Sequence, residues 1–306
     1  MAGGTGAIGR PLTRQLVAAG HDVTALARSD EGASWLESTG ARVVRGDVRD
    51  LDELRAVMVD AAPEVAIDHV TNLPSRWPLV FARAYPRNTE TRRVAGANLL
   101  EAARSAGARR LICESAAFMY APDGDRLRRE GDPIWTDAPE PLGSANTVFS
   151  EGDDRVVAAD GIEGVVLRYG TLYGPGTWFE RGGSIWTAVR RGVYPVPGDG
   201  GGMFSFVHVE DAAAACVAAV ERGAGIYNVV DDDPVPLREW IPVYAEVAGA
   251  RPPRAVPEWL ARLTVGGGVV AWGTVRPGAS NDRARAELAW EPRYRSWREG
   301  FREGLG

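Results

Sequence analysis

The sequence contains no lysine, because all 35 of its basic residues are arginines. A genome rich in G and C favours arginine codons and produces such a bias. Whatever its origin, this absence excludes three kinds of site: a lysine that forms a Schiff base, a P-loop lysine, and a lysine that lowers the pKa of a catalytic tyrosine.

Cysteine, histidine and long apolar runs are scarce as well. Two cysteines, Cys113 and Cys216, are too few for a disulfide framework, and with three widely separated histidines they give no metal-ligand spacing. No run of 18 apolar residues occurs, and the start of the chain, MAGGTGAIGR, lacks the pattern of a signal peptide. The net charge of −6 is spread along the chain, which argues against a nucleic-acid partner. We therefore expect a cytoplasmic protein that binds no membrane, nucleic acid or metal.

The 306 residues have the composition of a globular protein, with 45% apolar and 25% charged residues. Short apolar runs alternate with amphipathic stretches, which predicts βαβ units and a parallel sheet. The predicted strands are 22–27, 42–45, 65–70, 111–114 and 164–169. The first predicted helix ends at Gly20, and the others are 51–61, with Asp50 as its N-cap, 89–106, and one near 152–159. Beyond residue 169 glycine, proline and tryptophan become frequent, which predicts a smaller and less regular lobe.

A glycine-rich loop precedes the first amphipathic helix. Gly3, Gly6 and Gly9 form the pattern G-x-x-G-x-x-G. Small residues suit this position because a pyrophosphate must come close to the backbone and to the positive end of the helix. A glycine-rich turn before any helix looks similar, but the strand and the acidic turn that follow have the spacing of a dinucleotide site. The loop therefore predicts dinucleotide binding.

Several motifs, including this loop, follow one another in a characteristic order along nearly the whole chain. They are GGTGAIG at 3–9, GDVRD at 46–50, GANLLEAARSAGARRL at 96–111, SAAFMYAP at 115–122, LRYGTLYGPG at 167–176 and FVHVEDAAAA at 206–215. With these motifs the sequence resembles the extended short-chain dehydrogenases/reductases, specifically the NAD-dependent epimerase/dehydratase family. The resemblance implies an α/β fold, a Rossmann-type doubly wound parallel sheet with a smaller mixed C-terminal lobe. It also implies a dinucleotide-binding domain at 1–170 with 203–230 returning to it, and a substrate lobe formed by 171–202 and 231–306.

The resemblance also implies the cofactor contacts. The glycine loop, with Thr5, Ala7 and Ile8 between its glycines, is expected to contact the pyrophosphate. Asp47 and Val48 are expected to flank the adenine, and Thr71 is expected to be a further cofactor contact. An acidic residue at the end of the second strand would bind a ribose 2′-hydroxyl, but this sequence has Arg28 there, which suits a 2′-phosphate. We therefore expect NADP as the cofactor, with NAD as the alternative. The other interpretation of Arg28 is a surface arginine at a strand end without a role in binding.

The sequence departs from the family pattern in two places. Only Met1 and Ala2 precede Gly3, where the family has a full strand, so either the chain starts too late or a neighbouring segment fills the gap. The catalytic Tyr-x-x-x-Lys is expected at 145–150, which contains no tyrosine, and Ala116 stands where the catalytic Ser/Thr is expected. A tyrosine with its ordinary pKa of about 10 is a poor base at neutral pH without a nearby cation. Standard Tyr-Lys chemistry is therefore disfavoured.

Several side chains are candidates to replace the missing groups. The candidate catalytic residues are Ser115 and Tyr120, beside the expected nicotinamide, and Tyr169 and Tyr173, at the start of the substrate loop; each tyrosine has packing as its alternative role. Four further residues are weaker candidates, each with a structural alternative. Glu114 is a possible base or a partner of Arg109 or Arg110, and His69 lies near the cofactor or in the core. His208 makes a structural or substrate-lobe contact, and Arg93 binds an acidic substrate group or is solvated.

Aromatic residues of the C-terminal part favour a bulky or aromatic small-molecule substrate. They are Trp178, Phe179, Trp186, Trp240, Trp259 and Trp272. We expect an NAD(P)-dependent oxidoreductase that acts on an organic carbonyl or alcohol with a non-standard proton donor. The alternatives are a non-redox isomerase, cyclase or lyase on the same fold, and a protein that binds and senses a nucleotide. The resemblance also suggests a homodimer formed through the long helices.

Overall fold

The structure is a computed structural model that describes residues 1–74, 76, 81–124 and 127–306. The strands are β1 Thr24–Ala27, β2 Arg42–Arg45, β3 Val65–Asp68, β4 Arg110–Ala116, β5 Glu163–Tyr169, β6 Thr171–Tyr173, β7 Val196–Pro197, β8 Met203–Phe204, β9 Phe206–His208, β10 Gly225–Val229, β11 Val235–Pro236 and β12 Ala255–Val256. The helices are α1 Gly9–Ala18, α2 Asp30–Ser38, α3 Leu51–Ala61, α4 Phe81–Ser105, α5 Leu142–Val157, α6 Ser184–Arg190, α7 Val209–Ala219, α8 Leu237–Val247, α9 Glu258–Val265, α10 Gly267–Thr274, α11 Asp282–Leu288 and α12 Trp297–Glu303. None of the helices described is both long enough and apolar enough to cross a membrane.

A parallel sheet lies at the centre of the fold. Strands β3, β4, β5 and β10 pair side by side, and β1 pairs with β2 in a separate parallel ladder. Met1 and Ala2 join the two ladders: Leu26 N–H donates to the Met1 carbonyl, while Ala2 exchanges backbone hydrogen bonds with Ile67 and His69. The position of the family's first strand is therefore taken, over two residues, by the segment that leads into the glycine loop.

Helices cover both faces of this sheet. Alternate residues of β4 point to opposite sides: Ile112 packs with α1 and α7, whereas Leu111 and Cys113 pack with α3 and α4. Since parallel strands are buried on both faces, each needs apolar residues in succession. This arrangement is the Rossmann-type doubly wound sheet that the family resemblance implied.

The C-terminal part contributes a second, strongly aromatic core. Helices α6, α8 and α12 pack around Phe206 on β9, with Phe179, Trp240 and Phe301 in edge contact with its ring. Strand β9 pairs with β6, directly after β5, so this core is attached to the carboxyl end of the sheet. The division at residues 170, 203 and 230 stays a prediction.

The structure confirms most predicted elements and corrects the limits of two helices. Helix α3 spans 51–61 as predicted, and the Asp50 carboxylate caps it by accepting from the Glu53 N–H. Helix α4 begins at residue 81 rather than 89, and α5 begins at residue 142 rather than near 152. Pro86 lies inside α4, and a proline is normally taken as the end of a helical pattern.

Candidate functional site

The glycine loop packs too closely to admit side chains at two positions. A Cβ on Gly9 would lie 2.0 Å from the carbonyl oxygen of Gly3, and one on Gly3, whose φ is +84°, would lie 2.2 Å from the carbonyl oxygen of His69. The Gly6 N–H donates to the Gly3 carbonyl and closes the turn. Glycine at these positions therefore brings the loop directly over the end of β3.

The N-terminus of α1 offers an anion site next to this loop. Its N-cap, Ile8, provides no side-chain hydrogen bond, and the first turn has no acidic residue, so its backbone N–H groups have no side-chain acceptor there. Thr5 and Gly6 are exposed beside it, and Ala7 lines the neighbouring cavity. The residues present therefore fit the pyrophosphate of a dinucleotide.

Arg28 lies at the end of β1 and is exposed, with no ion pair to any described residue. The start of α2 adjoins the glycine loop, since a Cβ on Gly32 would lie 3.1 Å from both Thr5 Cγ2 and Ser29 Oγ. Arg10 reaches the same region, where its Nε donates to the Thr5 carbonyl. Arg10 therefore contacts the glycine loop, and Arg28 directly precedes the turn that adjoins it.

The predicted adenine residues follow β2. Val48 is buried, and its carbonyl accepts from Asn98 Nδ2, which ties this turn to α4. Asp47 is half-buried, and its carboxylate accepts from the Arg49 N–H. Thr71, beyond β3, lines the cavity described next.

A cavity of about 340 Å³ opens where β4 and β5 end. The carboxyl ends of parallel strands are where ligands bind in open α/β sheets. Its wall near the glycine loop contains Ala7, Thr71, Ser115 and Tyr169. The rest of the wall is largely aromatic and includes Tyr85, Phe118, Phe149, Trp178, Phe179, Tyr194, Phe204 and Trp272. The cavity therefore suits a flat apolar ligand beside the expected nicotinamide.

A half-buried ion pair lies in the wall of this cavity. Arg92 of α4 donates to the Glu114 carboxylate and, at 3.0 Å, to the Glu114 carbonyl, and its guanidinium lies 4.6 Å from the centre of the Phe149 ring. The expectation that Glu114 pairs with Arg109 or Arg110 is wrong, because both of those arginines lie at the opposite end of β4. Glu114 therefore faces the cavity already neutralised.

His69 and Tyr169 form a second buried contact at the strand ends. Tyr169 Oη lies 3.5 Å from His69 Nε2, and His69 Nδ1 lies 3.9 Å from Glu114 Oε2. Burial lowers the pKa of His69 to about 4, so the imidazole is neutral at pH 7. Burial also raises the pKa of Tyr169 well above its ordinary value, mainly by desolvation of the phenolate. Neither group is poised to give up or take a proton near neutrality.

The other two candidate tyrosines do not line the cavity. Tyr120 is buried in a polar network, where its hydroxyl donates to Asn228 Oδ1 and accepts from Arg168 Nη1. Tyr173 lies in the aromatic core against His208 and Phe301. The structure therefore brings Ser115 and Tyr169 to the cavity and places Tyr120 and Tyr173 elsewhere.

Two of the weaker candidates, Arg93 and His208, do not line the cavity either. Arg93 is exposed and pairs with Glu90 on the same helix, so it points away from the cavity. His208 caps α7 and lies 2.8 Å, through Nε2, from the Gly304 carbonyl oxygen, which is a structural role. In the parts of the chain that the structure describes, no three His, Cys, Asp or Glu side chains come together as a metal site. Both cysteines are buried free thiols.

The aromatic residues singled out in the sequence divide between cavity and core. Trp178 and Trp272 line the cavity together with Phe179. Trp186 and Trp240 lie in the aromatic core, and Trp259 is 66% exposed.

Sequence reasoning missed the contribution of α4 to the cavity. Tyr85, Asn88 and Arg92 all line it. Their spacing of three and four residues places them on one helix face, and that spacing was the available signal.

Comparison with known proteins agrees with the fold. A model of the NAD dependent epimerase/dehydratase family matches residues 1–229. The chain is 43% identical over 306 residues to a 3-diazoavenalumate denitrifying reductase from a Streptomyces species, covering 98% of both chains. Its fold is similar to that of UDP-glucose 4-epimerase from Thermus thermophilus in complex with NAD, with a TM-score of 0.76, 24% identity, and 99% and 96% of the two chains covered. It is also similar to dTDP-glucose 4,6-dehydratase from Streptomyces venezuelae with NAD bound, with a TM-score of 0.77, 19% identity, and 99% and 94% covered.

Proposed function

Because the chain belongs to the NAD dependent epimerase/dehydratase family, we propose that it is an NAD(P)H-dependent reductase that removes a diazo group from an aromatic substrate. The observation that carries this proposal is the 43% identity, over 98% of both chains, to a 3-diazoavenalumate denitrifying reductase. The other named relatives and the solved neighbours support only the family and the fold. The substrate and the reaction are therefore inferred from this one relative together with the cavity.

The chemistry of this reaction suits a site without an acid. When bound, the reduced nicotinamide supplies a hydride. In replacing a diazonium group, the C–N bond breaks with its electron pair leaving on N₂, and the C–H bond forms from the electron pair of the hydride. The balance is ArN₂⁺ + H⁻ → ArH + N₂, so no proton is consumed at the reacting carbon.

Reduction of a carbonyl makes a different demand, because the developing alkoxide requires a proton donor. The segment at 144–150 has no tyrosine, and the chain has no lysine to assist one. Of the candidates that reach the cavity, Tyr169 has a pKa well above its ordinary value and lies beside a neutral His69. A hydride transfer that needs no proton therefore fits these residues better than a ketone reduction does.

The cavity wall supports an aromatic substrate. Phe118, Phe149, Trp178 and Trp272 offer ring faces and edges around a volume of about 340 Å³, which is enough for one substituted ring with a short chain. Such a substrate would lie against Ser115 and Tyr169 at the end nearest the glycine loop.

We propose NADP as the cofactor, with NAD as the alternative. Arg28 is exposed and unpaired among the described residues at the strand end where a 2′-phosphate would lie. Arg10 stacks over the Trp35 ring at 4.4 Å beside the same turn and supplies a second cation. A guanidinium binds phosphate oxygens through paired N–H donors, which is the recognition a 2′-phosphate requires.

The test is a reaction of the purified protein with an arenediazonium carboxylate and NADPH deuterated at C4. The expected result is release of N₂ and one deuterium at the carbon that carried the diazo group. Retention of nitrogen in the product, or reduction of a carbonyl panel without N₂ release, contradicts the proposal. Turnover without nucleotide would favour the isomerase, cyclase or lyase alternative, and tight nucleotide binding without any turnover would favour a nucleotide sensor.

A second measurement examines the proton donor. We expect the single-turnover rate of hydride transfer to stay constant between pH 7 and 8.5, above the pKa of about 6 of Asp68 at the end of β3. The reason is that the pKa of His69, about 4, and the high pKa of Tyr169 both lie outside this range. A rate that falls tenfold per pH unit would show that a titrating group takes part in the step.

A further inference from the structure

Arg276 is a buried cation without an anionic partner among the described residues. It is 2% exposed, yet its hydrogen bonds go only to neutral oxygens: Nε donates to the Met203 carbonyl at 2.8 Å and Nη2 to Thr171 Oγ1 at 3.4 Å. Nη1 has no hydrogen-bond partner in the described parts of the chain. Burial lowers the pKa of Arg276 to about 9, which reflects this unfavourable environment.

Three other buried or half-buried arginines of this protein are paired with a carboxylate. Arg168 pairs with Asp153, Arg110 with Glu163 and Arg92 with Glu114. A charge removed from water is costly unless it is paired, so these pairs are what the physics requires. Among the described residues Arg276 and Arg128 depart from that pattern, and of these two only Arg276 lies against rings of the cavity wall.

The side chains around Arg276 belong to the wall of the substrate cavity. Its guanidinium carbon lies 3.8 Å from the centre of the Phe204 ring, 4.8 Å from that of Trp272 and 6.0 Å from that of Phe118. All three rings, and Thr171, line the cavity. The guanidinium therefore lies one side chain behind the wall, with an unused donor.

We propose that Arg276 binds a carboxylate of the substrate, with the Thr171 hydroxyl as its neighbour in the cavity. The inference rests on the proposed function, since it names the anionic group of the same aromatic substrate. The carboxylate would satisfy Nη1 and neutralise the cation, while the aromatic rings hold the rest of the molecule. The cavity would then select aromatic acids over their neutral analogues.

The proposal is tested by binding, independently of turnover. Calorimetry of the protein with NADP⁺ would measure the affinity for cinnamate, a simple aromatic acid, and for methyl cinnamate, its neutral ester. We expect the wild type to bind the acid about 10- to 100-fold more tightly than the ester, as for a buried charge-assisted hydrogen bond. Arg276→Gln should abolish this ratio by weakening only the acid, and Arg276→Lys should restore part of it.

A matched control is Arg128→Gln. Arg128 is also buried, at 1% exposure, with Nε and Nη2 unpartnered among the described residues, but unlike Arg276 it has no contact with a described ring of the cavity wall. This variant should lose stability without changing the acid-to-ester ratio. If Arg276 serves only to stack on Phe204, Arg276→Gln will lower the Tm and leave the ratio intact, which overturns the proposal.

The remaining outcomes are also decisive. A wild type that binds both probes equally, or neither, contradicts the assignment. Cinnamate and its ester carry no diazo group, so the binding test does not depend on turnover. The absence of diazo removal would refute the proposed reaction, whereas the carboxylate site is tested by the acid-to-ester ratio of affinities alone.

Discussion

Replacing Asp68 with asparagine should stabilise the folded protein by an amount that grows with pH. Asp68 ends β3 beneath the glycine loop, and its carboxylate accepts from the Val70 N–H at 3.0 Å. Desolvation raises the pKa of Asp68 from 3.8 to about 6, although that hydrogen bond and the nearby Arg92 oppose the rise. The folded state therefore holds this proton more tightly than the unfolded chain does.

The sign of the pH dependence follows from linkage. A raised folded-state pKa gives a stability contribution that is fully present below pH 3.8 and is lost as the pH rises through 6. Asparagine has no proton to lose, so Asp68→Asn keeps that contribution. With about 1.4 kcal/mol for each tenfold change in proton affinity, its advantage over wild type should increase by about 2 kcal/mol between pH 4.5 and pH 8.

The assay is urea unfolding of both proteins at several pH values across this range. Asp52→Asn is the control, because the Asp52 side chain is 96% exposed, and its difference from wild type should stay nearly constant. His69 titrates equally in both proteins, so its contribution cancels in the comparison. If the difference between Asp68→Asn and wild type stays within about 0.5 kcal/mol across the range, or shrinks with pH, the assigned pKa is wrong.

Two further predictions concern the cofactor site. Gly9→Ala should abolish NADPH binding in a fluorescence titration, because its Cβ would lie 2.0 Å from the Gly3 carbonyl oxygen and displace the loop; binding at wild-type affinity would refute the close packing. Arg28→Ala should weaken NADPH binding about 10- to 100-fold in calorimetry and leave NADH binding nearly unchanged, because it removes a charged contact to the 2′-phosphate alone. Equal losses for both nucleotides would refute the assignment of NADP.

Local patterns in the sequence were sufficient for many elements of the fold. Asp50 and Glu53 are close along the chain, so the cap and the limits of α3 could be predicted from composition and period alone. The glycine loop and the alternation of strands and helices were equally local signals. The local signal was misleading at Pro86, which lies inside α4 rather than at its end.

The candidate site depended on contacts between distant parts of the chain. Arg92 and Glu114 are 22 residues apart, and His69 and Tyr169 are 100 apart. No period in the sequence could pair them, because the order of strands in the sheet decides which strand ends meet. The same holds for Arg276, whose neighbours Thr171 and Phe204 come from other segments.

By itself, the sequence determined the family resemblance, the parallel sheet, the cofactor loop and the absence of lysine chemistry, since each depends on residue type and local spacing. Tertiary structure alone decided which candidate tyrosines reach the cavity, which cation neutralises Glu114, and that Arg276 has no anionic partner among the described residues. The physical reason is that burial and pairing are properties of the assembled core. The identity of a charged residue in the sequence does not show whether the fold places an oppositely charged partner beside it.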